Sequence, residues 1–175
     1  MMQLISALER SWVGKPIGRL DERFHLWAPY GVDEFLRLLD VAIPAARDKT
    51  FLDVGCGIGT KCLLAKDRGL EVHGVEWVPE YVAEARQLGV RVYEADIRNW
   101  PDYDKFGIVY LNCPFKDNEE EAEFERWLQD AIRSGSVLIQ VNDCIAPVGW
   151  QTLFDDRKYW CGVWVKPEIS TTVIT

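Results

Sequence analysis

Apolar positions along the chain follow two periods, and the switches between them outline the fold. Over residues 31–46, Val32, Phe35, Leu36, Leu39 and Ile43 recur at helical spacing, so this helix buries one face. Asp33 near its start suits the helix dipole. Short apolar runs at 50–54, 71–75, 90–95, 107–111 and 136–141 then predict strands. Helical stretches at 60–68, 79–88 and 118–134 intervene, each stopped by a glycine: Gly69, Gly89 and Gly135. Pro79 stands in a first turn, where its missing N–H costs nothing. In the last helix, Phe124, Trp127, Leu128, Ala131 and Ile132 form the buried stripe, and the acidic run 117–125 is its solvated N-terminal part. Strands alternating with helices predict a mostly parallel sheet covered on both faces.

The two ends of the chain differ. Residues 159–166 and 170–174 are strand-like runs joined only by Pro167 and Glu168, too short a link for a crossover helix, so antiparallel pairing is expected. Residues 1–30, rich in aromatics and broken by Gly14, Pro16, Gly18 and Pro29, predict a short helix and an irregular arm.

In an open α/β sheet, ligands bind beyond the carboxyl ends of the strands. Here the first strand ends in Asp53-Val54-Gly55-Cys56-Gly57-Ile58-Gly59, the second in Glu76-Trp77, the third in Asp96-Ile97 and the fourth in Asn112-Cys113-Pro114-Phe115. An acid or amide at four consecutive ends points to one polar site along that rim. The glycines are spaced GxGxG rather than the GxGxxG of a dinucleotide loop. Asp53, two residues before the first glycine, would repel a pyrophosphate and suit a cation. Glu76 falls 21 residues after Gly55, the spacing at which a carboxylate accepts from ribose hydroxyls. The expected ligand therefore carries a ribose and a positive group in place of phosphates.

Composition narrows the choice. The 175 residues suit a single domain, and 48% hydrophobic with 27% charged residues is globular composition. A net charge of -8 makes nucleic acid a poor default partner, because non-specific affinity there comes from Lys and Arg on phosphates. Five cysteines without a CxxC pair signal neither a disulfide framework nor a metal site and fit a reduced, cytoplasmic setting. No stretch reads as a leader or a membrane span, so no membrane partner is expected.

S-adenosylmethionine meets the ligand description, and three motifs carry a family likeness. LDVGCGIGTKCLLA resembles the nucleotide-binding loop of the class I S-adenosylmethionine-dependent methyltransferases, GVEWVPEYVAEAR its second motif and YEADIRNW its third. The likeness covers roughly residues 48–140, in the family's order along the chain. It implies a three-layer Rossmann-like α/β fold, with a mostly parallel seven-stranded sheet of order 3-2-1-4-5-7-6 and a C-terminal antiparallel hairpin. It also implies S-adenosylmethionine as cofactor and S-adenosylhomocysteine as product. Gly55, Cys56 and Gly57 would meet the methionyl part through their backbone, and Asp53 would hold its ammonium. Glu76 would bind the ribose hydroxyls, Trp77 would pack on adenine, and Asp96, with Ile97 nearby, would accept from the adenine amino group. Asn112 would line the methyl-donating end. Residues 1–46 would form an arm or lid over a cofactor-binding core at 47–175, with Trp12, Phe24, Trp27 and Tyr30 near the acceptor.

The acceptor is read as a small molecule or a protein group, and the protein as a monomer or homodimer. Asn112 can orient an amine, and His25 and Asp117 are the candidate bases. Asn112-Cys113-Pro114-Phe115 partly resembles the N-P-P-F tetrapeptide of nucleic-acid amino-group methyltransferases, where an amide and a prolyl carbonyl receive the amine and the ring stacks on a flipped base. Cys113 departs from that pattern, and a strand end with a proline turn is the preferred reading. A non-catalytic module that keeps the cofactor fold is the remaining alternative.

Overall fold

In the computed structural model, residues 2–15, 23–25, 29–142, 144–156 and 158–168 are described. They form helices α1 (Met2–Trp12), α2 (Val32–Ala42), α3 (Thr60–Asp67), α4 (Pro79–Gln87) and α5 (Asn118–Ala131). The strands are β1 (Thr50–Val54), β2 (Glu71–Glu76), β3 (Arg91–Glu94), β4 (Ile108–Asn112), β5 (Val137–Val141), β6 (Gln151–Asp156) and β7 (Cys161–Val165). All seven join one sheet in the order β3-β2-β1-β4-β5-β7-β6. The first five run parallel, while β7 is antiparallel to both β5 and β6.

The hairpin is built from other residues than the pattern suggests. Its second strand, β7, lies inside the expected 159–166 run, but its first strand, β6, precedes it, and the 170–174 run lies outside the described residues. β6 reads QTLFDD and has no fully buried residue, as an edge strand with one neighbour can. Its burial is too weak to leave a clear period-two signal.

Three layers result. Phe35, Leu38, Leu39, Leu64 and Val82 of α2, α3 and α4 pack onto Phe51, Ile108 and Ile139 of the sheet. On the opposite face Phe124 and Leu128 of α5, with Tyr103 and Phe106, cover Leu52, Val109 and Leu138. Each fully buried Leu, Ile or Phe contributes about 1.5–3 kcal/mol from water exclusion. Asp117 caps α5 by accepting from the backbone N–H groups of Glu119 and Glu120 at 2.9 and 3.0 Å. At its other end Lys166 Nζ donates to the carbonyls of Gln129, Asp130 and Ile132. A cation there satisfies orphan carbonyls and the helix dipole together, and ties α5 to the end of β7.

The N-terminal segments are fastened to the ligand-binding rim. Glu9 of α1 takes Lys61 Nζ at 2.8 Å and Thr60 Oγ1 at 2.8 Å, with both members of the ion pair almost fully buried. Leu8 and Trp12 pack beside Ile58, Val78 and Tyr81. Further on, Phe24 forms an antiparallel bridge with Phe115, and the backbone bonds His25 N to Pro114 O (2.9 Å) and Lys116 N to Arg23 O (2.9 Å) continue it. The arm is thus held by main-chain pairing to the loop after β4. No described helix is long and apolar enough to cross a membrane.

Candidate active site

Beyond the carboxyl ends of β1, β2 and β4 lies a cavity of about 480 Å³. Its floor is the β1–α3 loop. Gly55, Gly57 and Gly59 have φ of 74°, 53° and 79°, a left-handed series that turns the chain sharply into α3. At Gly55 an added Cβ would meet only Pro114 Cβ, at 3.9 Å, so the bare backbone faces open cavity. Gly74 serves the loop differently: a Cβ there would overlap Cys56 Sγ and come within 2.9 Å of Cys56 Cβ. Gly74→Ala is therefore expected to lift the loop off β2, costing about 1–3 kcal/mol in urea unfolding and weakening ligand binding in calorimetry. Unchanged values for both would show that the loop shifts freely.

Glu76, 6% exposed at the end of β2, organises this floor. Its Oε2 accepts from Gly57 N at 2.8 Å, and its Oε1 from Trp77 N and Val78 N at 2.9 Å each. Three N–H donors favour the carboxylate, yet loss of hydration outweighs them and raises its pKa. Asp53 is 3% exposed, in register with Gly74 and Tyr110 on the neighbouring strands. Burial pushes its carboxyl up to about 7; Lys61 opposes the rise and Glu76 adds to it. Cys62 Sγ donates weakly to Asp53 Oδ2 at 3.9 Å.

The cavity brings together most of the expected residues: Asp53, Gly55, Cys56, Glu76, Trp77, Ile97, Asn112 and His25 are all in its wall, with Gly57 behind, bonded to Glu76. Asp96 is not in that wall. Its carboxylate accepts from the backbone N–H of Arg98 and from the same guanidinium, a local turn with an ion pair that holds its pKa down. Asp117 is engaged as the α5 cap, and Trp27 lies outside the described residues. At the far end Asn112 Oδ1 accepts from Asn142 Nδ2 at 2.6 Å, and Asn142 adopts φ 63° just past β5.

The tetrapeptide after β4 is folded inward. Phe115 is 1% exposed, with ring centroids 4.9 Å from Phe24 and 5.4 Å from Phe124. Its N–H donates to Glu121, and the Pro114 carbonyl already accepts from His25. The ring that would stack on a flipped base is core, and the carbonyl that would receive its amine already accepts one bond from the arm.

Several wall residues escape sequence reasoning. Thr60 and Lys61 open a helix whose polar residues look solvated, but Glu9, about fifty residues earlier, buries them. Tyr110 reads as an apolar strand residue, though its place two before Asn112 puts both on one face of β4. Its hydroxyl is buried without a hydrogen-bond partner among the described residues.

Residues 51–134, which span the glycine loop, the Glu76 strand end and α5, match the family described as methyltransferase domain. Over that stretch the chain is similar to a methyltransferase domain, and its sheet has the class I methyltransferase fold. Among curated relatives, the chain is similar to the 2-methyl-6-phytyl-1,4-hydroquinone methyltransferase of Synechocystis sp., with 30% identity over 67% of this chain and 37% of that protein. Trans-aconitate 2-methyltransferase of Escherichia coli is 26% identical over 66% of the chain and 51% of its own length. The chain thus spans about half or less of these relatives. The fold is shared with an RNA methyltransferase from Salinibacter ruber solved in complex with S-adenosyl-L-homocysteine, at a TM-score of 0.64 and 19% identity, covering 81% of this chain and 95% of that one.

Proposed function

We propose that the protein is an S-adenosylmethionine-dependent methyltransferase acting on a small-molecule acceptor. The observation that carries this reading is the carboxylate of Glu76, fastened to the amide of Gly57 at the floor of a cavity that also holds buried Asp53. One acid is set for ribose hydroxyls and the other for a cation. The wall fits such a ligand. Gly55 leaves bare backbone toward the cavity, and Tyr110 carries a buried hydroxyl that wants a partner. Trp77, Val78, Tyr81 and Ile97 offer apolar surface for a purine.

The bound cofactor would supply a methyl group on sulfonium sulfur. This chain's residues would orient it: Glu76 at the ribose, Asp53 at the ammonium, and the loop of Gly55, Cys56 and Gly57 along the methionyl part. Asn112 would face the acceptor, and residues 1–46, latched by Glu9 and by the pairing of Phe24 with Phe115, would exclude water over a core at 47–175. The small-molecule acceptors named for the two curated relatives support that class of substrate, and the S-adenosyl-L-homocysteine of the Salinibacter ruber complex supports the cofactor. A cytoplasmic setting suits the five thiols, none of which is joined in a disulfide in the structure.

Calorimetric titration with S-adenosylmethionine and S-adenosylhomocysteine, with NAD as control, tests the reading. Micromolar affinity for both adenosyl ligands and none for NAD is the expected result. Absence of adenosyl binding would reduce the likeness to one of fold.

A further inference from the structure

We infer that the methyl acceptor is an amine, received at the rim formed by Asn112, Asn142 and Tyr30; this rests on the cofactor reading above. The inference starts from charge. Around the cavity floor stand three carboxyl groups, Asp53, Glu76 and Glu9, against one ammonium, Lys61, which Glu9 already holds at 2.8 Å. S-adenosylmethionine brings two positive groups and one carboxylate. With Asp53 ionised, the loaded site still carries net negative charge. Such a site attracts an ammonium and repels a carboxylate or phosphate, the more so because its walls exclude water. Among the described wall residues none is an arginine, and His25 is the other basic side chain, at the exposed edge.

Proton chemistry points the same way. An alcohol or a carbon acid must lose a proton as it attacks, so it needs a base beside it. Tyr30 and Tyr110 are the hydroxyl groups of the wall toward β4 and β7, and burial raises both pKa values well above the ordinary phenol range. They stay neutral and can only donate or accept hydrogen bonds. Asp53 lies over β1, under the glycine loop. An ammonium drawn to the rim first loses its proton to water at the open edge, and the neutral amine then needs no base in the transfer itself. Its nitrogen lone pair forms the N–C bond while the C–S bond breaks and sulfur keeps the electron pair. The extra proton on the methylated nitrogen leaves afterwards to water at the open edge.

The rim has the matching geometry. Asn112 ends β4, and Val141, its register partner on β5, is followed at once by Asn142. The two amides are joined at 2.6 Å. Val141 also pairs with Cys161 of β7, and the Tyr30 hydroxyl lies beside that thiol. Amide and phenol oxygens can therefore accept N–H bonds from one side of the cavity mouth. Asn142 is exposed, so its charge can be changed without disturbing the core.

The test uses radiolabelled methyl transfer to amines, carboxylic acids and alcohols on matched carbon skeletons. Label is expected in the amines, with kcat/KM rising about tenfold per pH unit below each amine's own pKa and level above it. Asn142→Lys should lower kcat/KM for amines at least about tenfold, and Asn142→Asp should lower their KM severalfold. Both variants should bind S-adenosylmethionine within about threefold of wild type and unfold cooperatively, within a few degrees of it, the small loss reflecting the broken Asn112 bond and the left-handed backbone at 142. Opposite responses to opposite charges are not produced by a merely structural role. As a binding readout, ammonium forms should bind the protein loaded with S-adenosylhomocysteine, and matched carboxylates should not. Labelling of acids or alcohols in preference to amines, no label in any amine, or indifference to both substitutions would overturn the inference alone. Failure of the wild type to bind S-adenosylmethionine would overturn the cofactor reading with it.

Discussion

Glu76→Ala is expected to lower the affinity for S-adenosylmethionine at least about a hundredfold in calorimetric titration. Hydrogen bonds to a charged group contribute about 1.5–3 kcal/mol each, and a carboxylate facing two ribose hydroxyls makes two of them. The substitution also strips Gly57, Trp77 and Val78 of their shared acceptor, so the glycine loop loses its tie to β2. Glu76→Gln separates the effects. It keeps one carbonyl oxygen and the side-chain shape, and should lose about tenfold, the cost of a single charged bond. Thermal unfolding of both variants checks that the fold persists. An alanine variant within about threefold of wild type would place the ribose elsewhere.

Asp53→Asn is expected to stabilise the ligand-free protein at pH 8, by up to about 4 kcal/mol, while abolishing tight cofactor binding. The folded carboxyl titrates at about 7, raised from its ordinary value of 3.8 by burial. A raised carboxyl favours the protonated form in the folded state. Its cost is therefore absent below the unfolded pKa, grows as the pH climbs from about 4 to about 7, and is complete above that. The ceiling follows from about 1.4 kcal/mol for each tenfold change in proton affinity between the folded and unfolded chain. Lys61 and Cys62 of α3, Glu76 of β2 and Tyr110 of β4 surround the group and act on its charge. Urea unfolding at pH 4.5 and pH 8 should give a small gain at the first and a large one at the second. Equal gains at both would mean that Asp53 is already ionised at low pH. For the wild type, a cation placed beside Asp53 favours its carboxylate. Affinity should rise from pH 6 to about 7 and then level, with proton release visible in buffers of different ionisation enthalpy.

How much of this was legible in the sequence depends on how local each signal is. The parallel core was readable because β1, β2, β4 and β5 are buried along nearly their whole length and appear as short, mostly apolar runs. Glu76 and Asp53 were readable because a strand end and a glycine turn fix their positions within a few residues. β6 was not, since an exposed edge strand leaves little pattern, and a Val/Ile/Thr-rich run at 170–174 has stronger strand propensity. Lys61 was hidden because its burial is decided by Glu9 on another helix. Asp96 shows the converse. Its spacing matches the third motif, yet in the structure its carboxylate is paired with Arg98, two residues on, a contact the motif does not announce. Phe115 matches its motif too, and only the arm's return to that edge reveals it as core.

The union of the arm with the loop after β4 is made by main-chain atoms, through His25 N, Pro114 O, Lys116 N and Arg23 O. Backbone pairing is indifferent to what the side chains are. Selection can therefore exchange the exposed residues Arg23, His25 and Lys116, while Phe24 and Phe115 stay fixed as core and the arm stays attached at the same place. That separates two properties that usually drift together in a small enzyme, keeping the chamber closed and choosing what enters it. What enters the cavity can then change while the attachment of the arm does not.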